Sequence, residues 1–175
     1  MKNLLIVVDY QRDFVDGSLG FPGAAALEAG ICQRIEAYRE RGDDVVFTFD
    51  THDRDYLTTR EGEHLPVPHC LEGAEGWRLY GRVAELCGPD SPIFCKHTFG
   101  SLQLAQFIQG RKYRTIELVG VVTNMCVLSN AVLAMAADPE AEILIDANLV
   151  ASNDPVLHRQ ALDVMAGLQM RVTGG

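Results

Sequence analysis

The sequence is short of basic charge. Its 15 Lys and Arg stand against 24 Asp and Glu, a formal net charge of −9. Holding nucleic acid by its phosphates needs a basic face, so a nucleic-acid partner is not expected. An anionic membrane surface is disfavoured for the same reason. No apolar run approaches membrane-spanning length, so no membrane partner is expected either. A signal-peptide pattern is also missing: Leu4 to Val8 is a short apolar run that Asp9 ends. The cysteines are odd in number, with Cys32, Cys70, Cys87, Cys95 and Cys126 forming no CxxC pair. Reduced thiols in a cytoplasm are the simplest expectation. Cys32, Cys87 and Cys95 are expected to be small, buried hydrophobes. Internal repeats, low-complexity tracts and linkers are absent.

What is present fits one globular domain over residues 1–175. A hydrophobic fraction of 47% and a charged fraction of 22% suit a soluble chain with a sizeable core. Leu4 to Val8 reads as a short buried strand with Asp9 at its end, followed by a Gly, Asp and Pro-rich loop from Gln11 to Gly23. Ala24 to Arg41 carries helical periodicity and stops at Gly42. Asp44 to Asp50 is a second buried strand. Thr51 to Trp77 is a long polar loop, a length that is usually functional. Then come a helix from Leu79 to Leu86, a strand over Ile93 to Cys95 ending in Lys96, and a helix from Leu102 to Gly110. Thr115 to Val122 is a fourth strand and Cys126 to Ala137 an alanine- and leucine-rich helix. A strand from Ala141 to Ile145 ends at Asp146; a helix from Pro155 to Ala166 and a strand from Met170 to Thr173 complete the chain. This alternation predicts a three-layer α/β/α fold around a mostly parallel sheet.

Ligands of such sheets bind beyond the carboxyl ends of the strands, so the residues there carry the most weight. They are Asp9, Asp50, Lys96 and the segment before Cys126. A thiol where a strand meets a helix start lies in a field that favours a thiolate. Asp9, Lys96 and Cys126 can converge on one sheet edge. Together they suit amide hydrolysis through a thioester: a sulfur nucleophile, a carboxylate that takes and returns the proton, and an ammonium that stabilises the anions. Backbone N–H groups between Val122 and Cys126 are the candidate oxyanion donors. Each residue also has a plainer role, Asp9 as a turn cap, Lys96 as a solvated rim charge, Cys126 as one more buried thiol. A second group is Asp50-x-His52 with His69 after the stiff Pro66-Val67-Pro68. A carboxylate and two imidazoles suit a divalent zinc, iron or manganese ion, with Glu61 or His64 as a further ligand. Solvated loop histidines are the alternative.

These segments resemble the isochorismatase-like cysteine hydrolase superfamily and, within it, the nicotinamidase/pyrazinamidase family. The resemblance covers nearly the whole chain. Leu5-Ile6-Val7-Val8-Asp9-Tyr10-Gln11-Arg12-Asp13-Phe14 is similar to the opening motif, Cys95-Lys96-His97-Thr98-Phe99-Gly100-Ser101 to the lysine motif, and Gly120-Val121-Val122-Thr123-Asn124-Met125-Cys126-Val127 to the nucleophile motif. The resemblance implies conversion of nicotinamide to nicotinate and ammonia, a step of NAD salvage, with Asp9, Lys96 and Cys126 catalytic. It implies one divalent metal ion, with zinc the first candidate, on Asp50, His52 and His69, and Glu61 as an added ligand. The ion would polarise the pyridine nitrogen. Phe14 would pack on the substrate ring, a cis Val121–Val122 bond would shape an oxyanion hole of Val122 and Cys126 N–H groups, and a homo-oligomer, dimer or tetramer, would be expected. The alternatives are a hydrolase of another small amide or ureido compound, and a non-catalytic binding or thiol protein on the same fold.

Overall fold

The computed structural model describes residues 1–174. In chain order the elements are β1 (Leu4–Val8), α1 (Arg12–Val15), α2 (Glu28–Glu40), β2 (Asp44–Asp50), α3 (Arg60–His64), α4 (Gly81–Leu86), β3 (Ile93–Lys96), α5 (Leu102–Ile108), β4 (Thr115–Val121), α6 (Leu128–Ala137), β5 (Glu142–Ala151), α7 (Pro155–Gly167) and β6 (Arg171–Thr173). The strands form one six-stranded parallel sheet in the order β3-β2-β1-β4-β5-β6. Helices cover both faces, which is why β1 is an unbroken apolar run with every residue buried. Leu5, Val7, Phe47 and Val119 pack towards α2 and α4. Leu4, Ile6, Ile116 and Leu118 pack on the other face, with Leu104, Ala131, Ala134, Leu162 and Met165 of α5, α6 and α7. The three-layer α/β/α expectation holds.

Local chemistry sets the boundaries. Gly42, at φ +74°, ends the helical segment that precedes β2. Asp154 caps α7 by accepting from the N–H groups of Val156 and Leu157, and Pro155 occupies the first turn. At the end of β4 the backbone requires a glycine. Gly120 sits at φ +113°, and a Cβ there would collide with the carbonyl oxygen of Val8. The missing side chain lets the end of β4 close on the end of β1, which draws the segment leading to Cys126 towards Asp9.

Four details differ from the sequence reading. The strand expected to end before Asp146 continues to Ala151, because β5 regains its pairing with β4 after a register shift between Leu118 and Gly120. The loops 11–23 and 51–77 contain the short helices α1 and α3. The helix expected to begin at Cys126 opens instead with a π-helical turn, Thr123–Val127, and becomes α-helical at Leu128. Finally, Cys95 is exposed and Cys87 half-buried, so only Cys32 of those three thiols is a buried hydrophobe. The reason for Cys95 is that β3 is an edge strand, and its Cys95 face lies open while Phe94 packs on Phe107 of α5.

Candidate active site

Strands β3, β2, β1 and β4 are consecutive in the sheet and parallel, so their carboxyl ends lie side by side on one edge. Asp9 stands one residue beyond β1 with φ +44°, a left-handed conformation uncommon for aspartate. Its backbone N–H donates to the Thr48 carbonyl at 3.2 Å, and the Thr48 hydroxyl donates to Asp9 Oδ1 at 2.6 Å. The carboxylate is thereby aimed across the sheet edge and wholly buried. Lys96 ends β3 and is buried too, so it is no rim charge. Its ammonium lies 2.7 Å from Asp9 Oδ2, 3.1 Å from Asp50 Oδ1 and 3.3 Å from Cys126 Sγ. Three strand ends and the turn after a fourth meet at one nitrogen.

This crowding shifts the proton affinities of the groups that share it. For Cys126, burial pushes the thiol up, Lys96 pulls it down, and Asp9 and Asp50 push it up again; the balance lies well above the usual thiol range. Burial and the two carboxylates thus oppose the thiolate that Lys96 and the helix start favour. Burial also raises Asp9 against the pull of Lys96. Lys96 would be lowered by burial, but Asp9, Cys126 and Asp50 hold it as an ammonium. An attack by sulfur therefore has to hand its proton to a neighbour. Asp9, a carboxylate whose proton affinity is raised, is placed to take it.

Asp50, the last residue of β2, faces both ways. Burial would raise its carboxyl, but Lys96 and the hydrogen bonds from His52 and His69 outweigh burial and hold it below the usual carboxylate range. Its Oδ2 is 3.0 Å from His52 Nε2 and 3.2 Å from His69 Nε2, and Glu61 Oε1 is 3.6 Å and 3.7 Å from those nitrogens. The extended spacing Asp-x-His does put both side chains on one side, as alternation requires. His69 Nδ1 lies 2.8 Å from the Val67 carbonyl and donates to it, which turns Nε2 towards the group. Tyr56 packs on both imidazoles, with ring centroids 4.6 Å and 5.0 Å away. The ligand atoms of Asp50, His52, Glu61 and His69 all lie within 4.8 Å of one another. Separations of this size match the edges of a tetrahedron, roughly 3.4 Å, for metal–ligand bonds of about 2.1 Å. The donor set therefore fits a divalent ion. His64 stands apart, exposed, with Nδ1 on the Arg60 carbonyl at 2.8 Å.

A cleft of about 830 Å³ opens over these groups, lined by Phe14, Phe21, Asp50, His52, Glu61, His69, His97, Phe99, Val122 and Cys126 among others. Phe14 meets His69 edge-on at 5.6 Å. The Val121–Val122 bond is cis. Within the turn that carries Cys126, Thr123 Oγ1 lies 2.9 Å from His158 Nδ1, and the Ser152 hydroxyl donates to Asn124 Oδ1 at 2.6 Å.

Two supporting residues escaped the sequence reading. Gln11 is buried, donates to the carbonyls of Asp50 and Trp77 at 2.9 Å and 2.8 Å, and accepts the Asp50 N–H at 2.8 Å, fixing the carboxylate's backbone. Thr48, which aims Asp9, did leave a signal: it is the lone hydroxyl within Val45-Val46-Phe47-Thr48-Phe49.

The isochorismatase domain family matches residues 3–174 of the chain. A Bacillus subtilis protein described as an uncharacterized isochorismatase family protein PncA is 31% identical over 185 residues, covering 95% of each chain. The crystal structure of the nicotinamidase/pyrazinamidase PncA from the same organism is 32% identical and superposes with a TM-score of 0.88 over 99% of this chain and 100% of that one. The pyrazinamidase of Pyrococcus horikoshii, solved in complex with zinc, is 25% identical and superposes with a TM-score of 0.86 over 100% of both chains.

Proposed function

The chain belongs to the isochorismatase family, and on that premise we propose that it is a cysteine amidohydrolase that converts nicotinamide to nicotinate and ammonia. The observation that carries this reading is the ammonium of Lys96, which touches Asp9, Cys126 and Asp50 at once and so joins a nucleophile centre to a metal-ligand cluster. Similarity to the nicotinamidase/pyrazinamidase PncA and to the zinc-bound pyrazinamidase supports the choice of ring and of metal.

Each step can be assigned to a residue. Cys126 Sγ attacks the carboxamide carbon as its proton passes to Asp9. The carbonyl π-bond becomes an oxyanion, held by the N–H groups of Val122 and Cys126. Collapse of the intermediate breaks the C–N bond, and Asp9 returns the proton to the departing ammonia. Water then attacks the thioester carbon while Asp9 again takes the proton. The C–S bond breaks, Asp9 hands that proton to the sulfur, and the acid leaves, giving its remaining proton to solvent as it becomes the carboxylate. Lys96 stays protonated throughout and offsets the negative charge moving between Asp9 and the sulfur. Phe14, on the cleft wall beside His69, packs against the substrate ring. Asp50, His52, Glu61 and His69 would hold the divalent ion, zinc first by the donor set. The chemistry available there once loaded is Lewis-acid capture of a ring nitrogen, which would orient the amide towards Cys126.

The test is ammonia release from nicotinamide, pyrazinamide and a set of non-aromatic amides, with and without chelator, for wild type and Cys126→Ala. We expect turnover of the pyridine and pyrazine amides, its loss on chelation with recovery on zinc addition, and a fall of roughly 10³-fold or more in the alanine variant while its thermal melt persists. Turnover retained in Cys126→Ala overturns the mechanism, and turnover confined to non-aromatic amides overturns the substrate.

A further inference from the structure

The catalytic reading leaves one buried polar side chain of α6 unused. Asn130 is completely enclosed, and its amide is fully spoken for. Nδ2 donates to the Cys126 carbonyl at 2.8 Å and to the Phe99 carbonyl at 3.1 Å, and Oδ1 accepts the N–H of Ser101 at 3.0 Å. An asparagine inside a helix normally competes with the backbone and is disfavoured there. Nothing about packing α6 on the sheet calls for an amide; Ala131 and Ala134 do that work with small apolar groups. The amide instead bridges two segments that both face the cleft. One is the turn carrying the Cys126 sulfur. The other is the segment 97–101, which leaves β3 directly after Lys96 and places Phe99 on the cleft wall.

We infer that Asn130 is a positioning residue that locks the Cys126 turn to the Phe99 wall, so that the sulfur and the surface against which the substrate ring lies keep one register. The inference rests on Cys126 being the nucleophile and on the cleft being the substrate site. It adds a division of labour within one side chain. The bond to the Cys126 carbonyl sets the nucleophile, and the bonds to Phe99 and Ser101 set the wall. Ser101 passes the constraint on, since its hydroxyl caps α5 by accepting the Leu104 N–H at 3.1 Å.

Two substitutions separate the parts. In Asn130→Thr the hydroxyl can still reach the carbonyl four residues back, as helical threonines do, but it cannot span to Phe99 and Ser101. We expect KM to rise roughly 5- to 10-fold, the scale of one or two lost hydrogen bonds, with kcat within about threefold of wild type. In Asn130→Leu every bond is lost, and kcat is expected to fall roughly 10²-fold, the scale of a small misplacement of reacting groups. A second readout is the rate at which iodoacetamide alkylates Cys126, mapped by peptide mass spectrometry, with buried Cys70 as the internal control. Release of the wall should raise the Cys126 rate several-fold in Asn130→Thr and leave Cys70 unchanged. Kinetic constants within twofold of wild type in Asn130→Thr, or alkylation rising equally at both cysteines, overturn the inference and reduce Asn130 to a general stabiliser. Should wild type release ammonia from no amide, the amidase reading fails, and the alkylation ratio still decides whether Asn130 holds the turn. Should Asn130→Leu not fold, the threonine variant carries both readouts alone.

Discussion

Glu117 in β4 and Asp9 beyond β1 are buried carboxylates on neighbouring strands of one sheet, yet their surroundings are opposite. Glu117 has a separate donor atom for each oxygen, Arg34 Nη1 at 2.6 Å and the Tyr38 hydroxyl at 2.7 Å, and the guanidinium turns its other nitrogen to Asp146. Arg34 remains 32% exposed, so the positive half of the pair is still hydrated. Asp9 shares its cation. The one ammonium beside it also serves Asp50 and the Cys126 sulfur, and that ammonium is sealed from water. The first arrangement joins α2 to the sheet through a cation that water still reaches. The second holds more acid than base in a dry volume, the condition that sets proton affinities far from their ordinary values. Oversubscription of a buried charge, rather than burial itself, marks the chemical cluster.

Removing the shared cation should produce the largest difference between the clusters. In Lys96→Met two buried carboxylates face each other and a thiol without a counter-charge. We expect ammonia release from nicotinamide to drop about 10³-fold and stability to fall by about 3–5 kcal/mol, the usual result of breaking a buried pair from one side. Steady-state kinetics and chemical denaturation read the two effects. A variant within tenfold of wild-type turnover would show that Lys96 only fills space.

The matching change in the balanced cluster should separate stability from activity. Glu117→Gln keeps the side-chain shape and one hydrogen bond but removes the charge that Arg34 faces. An expected loss of about 1–3 kcal/mol would lower Tm by roughly 2–4 °C per kcal/mol for a chain of this size. Because neither Glu117 nor Arg34 lines the cleft, kcat/KM should stay within about twofold. A large loss of turnover in folded Glu117→Gln would erase the distinction drawn between the two sites.

How much of this was legible before any coordinates follows from what each residue does. Asp9, Asp50 and Lys96 end apolar strands, and the point at which hydropathy breaks is visible along the chain, so their shared sheet edge could be anticipated. Asp50-x-His52 was legible because alternation alone puts both side chains on one side. His69 and Glu61 were named as candidate ligands by residue type and resemblance, but their convergence on Asp50 depends on the fold of the 51–77 segment, whose short helices have too few residues to show a period. Gln11 and Asn130 work by filling backbone hydrogen bonds of segments distant in sequence, and no local pattern announces a partner 39 or 31 residues away. The exposure of Cys95 depended on β3 being an edge strand, which is a property of strand order. The continuation of β5 past Asp146 came from pairing resumed after a bulge, where the local sequence Asp146-Ala147-Asn148 reads as a stop.

The smallest effect in this comparison belongs to Asp146→Asn, and it tests whether the balanced cluster is balanced by Glu117 alone. Asp146 Oδ2 accepts from Arg34 Nη2 at 3.2 Å, on the outer side of the guanidinium, and its side chain is 20% exposed. A partly hydrated pair of this length gains little, because water competes for both charges and salt screens what remains. Asparagine can still accept one bond from Arg34. The expected cost is therefore about 0–1 kcal/mol, shrinking further between low and moderate ionic strength, with turnover unchanged. The double variant Glu117→Gln/Asp146→Asn should lose more than the sum of the singles, since each acid covers for the other at the same guanidinium. Strict additivity in denaturation would mean that Arg34 is anchored by water and α2, and that the cluster binds the sheet through the Tyr38–Glu117 bond alone.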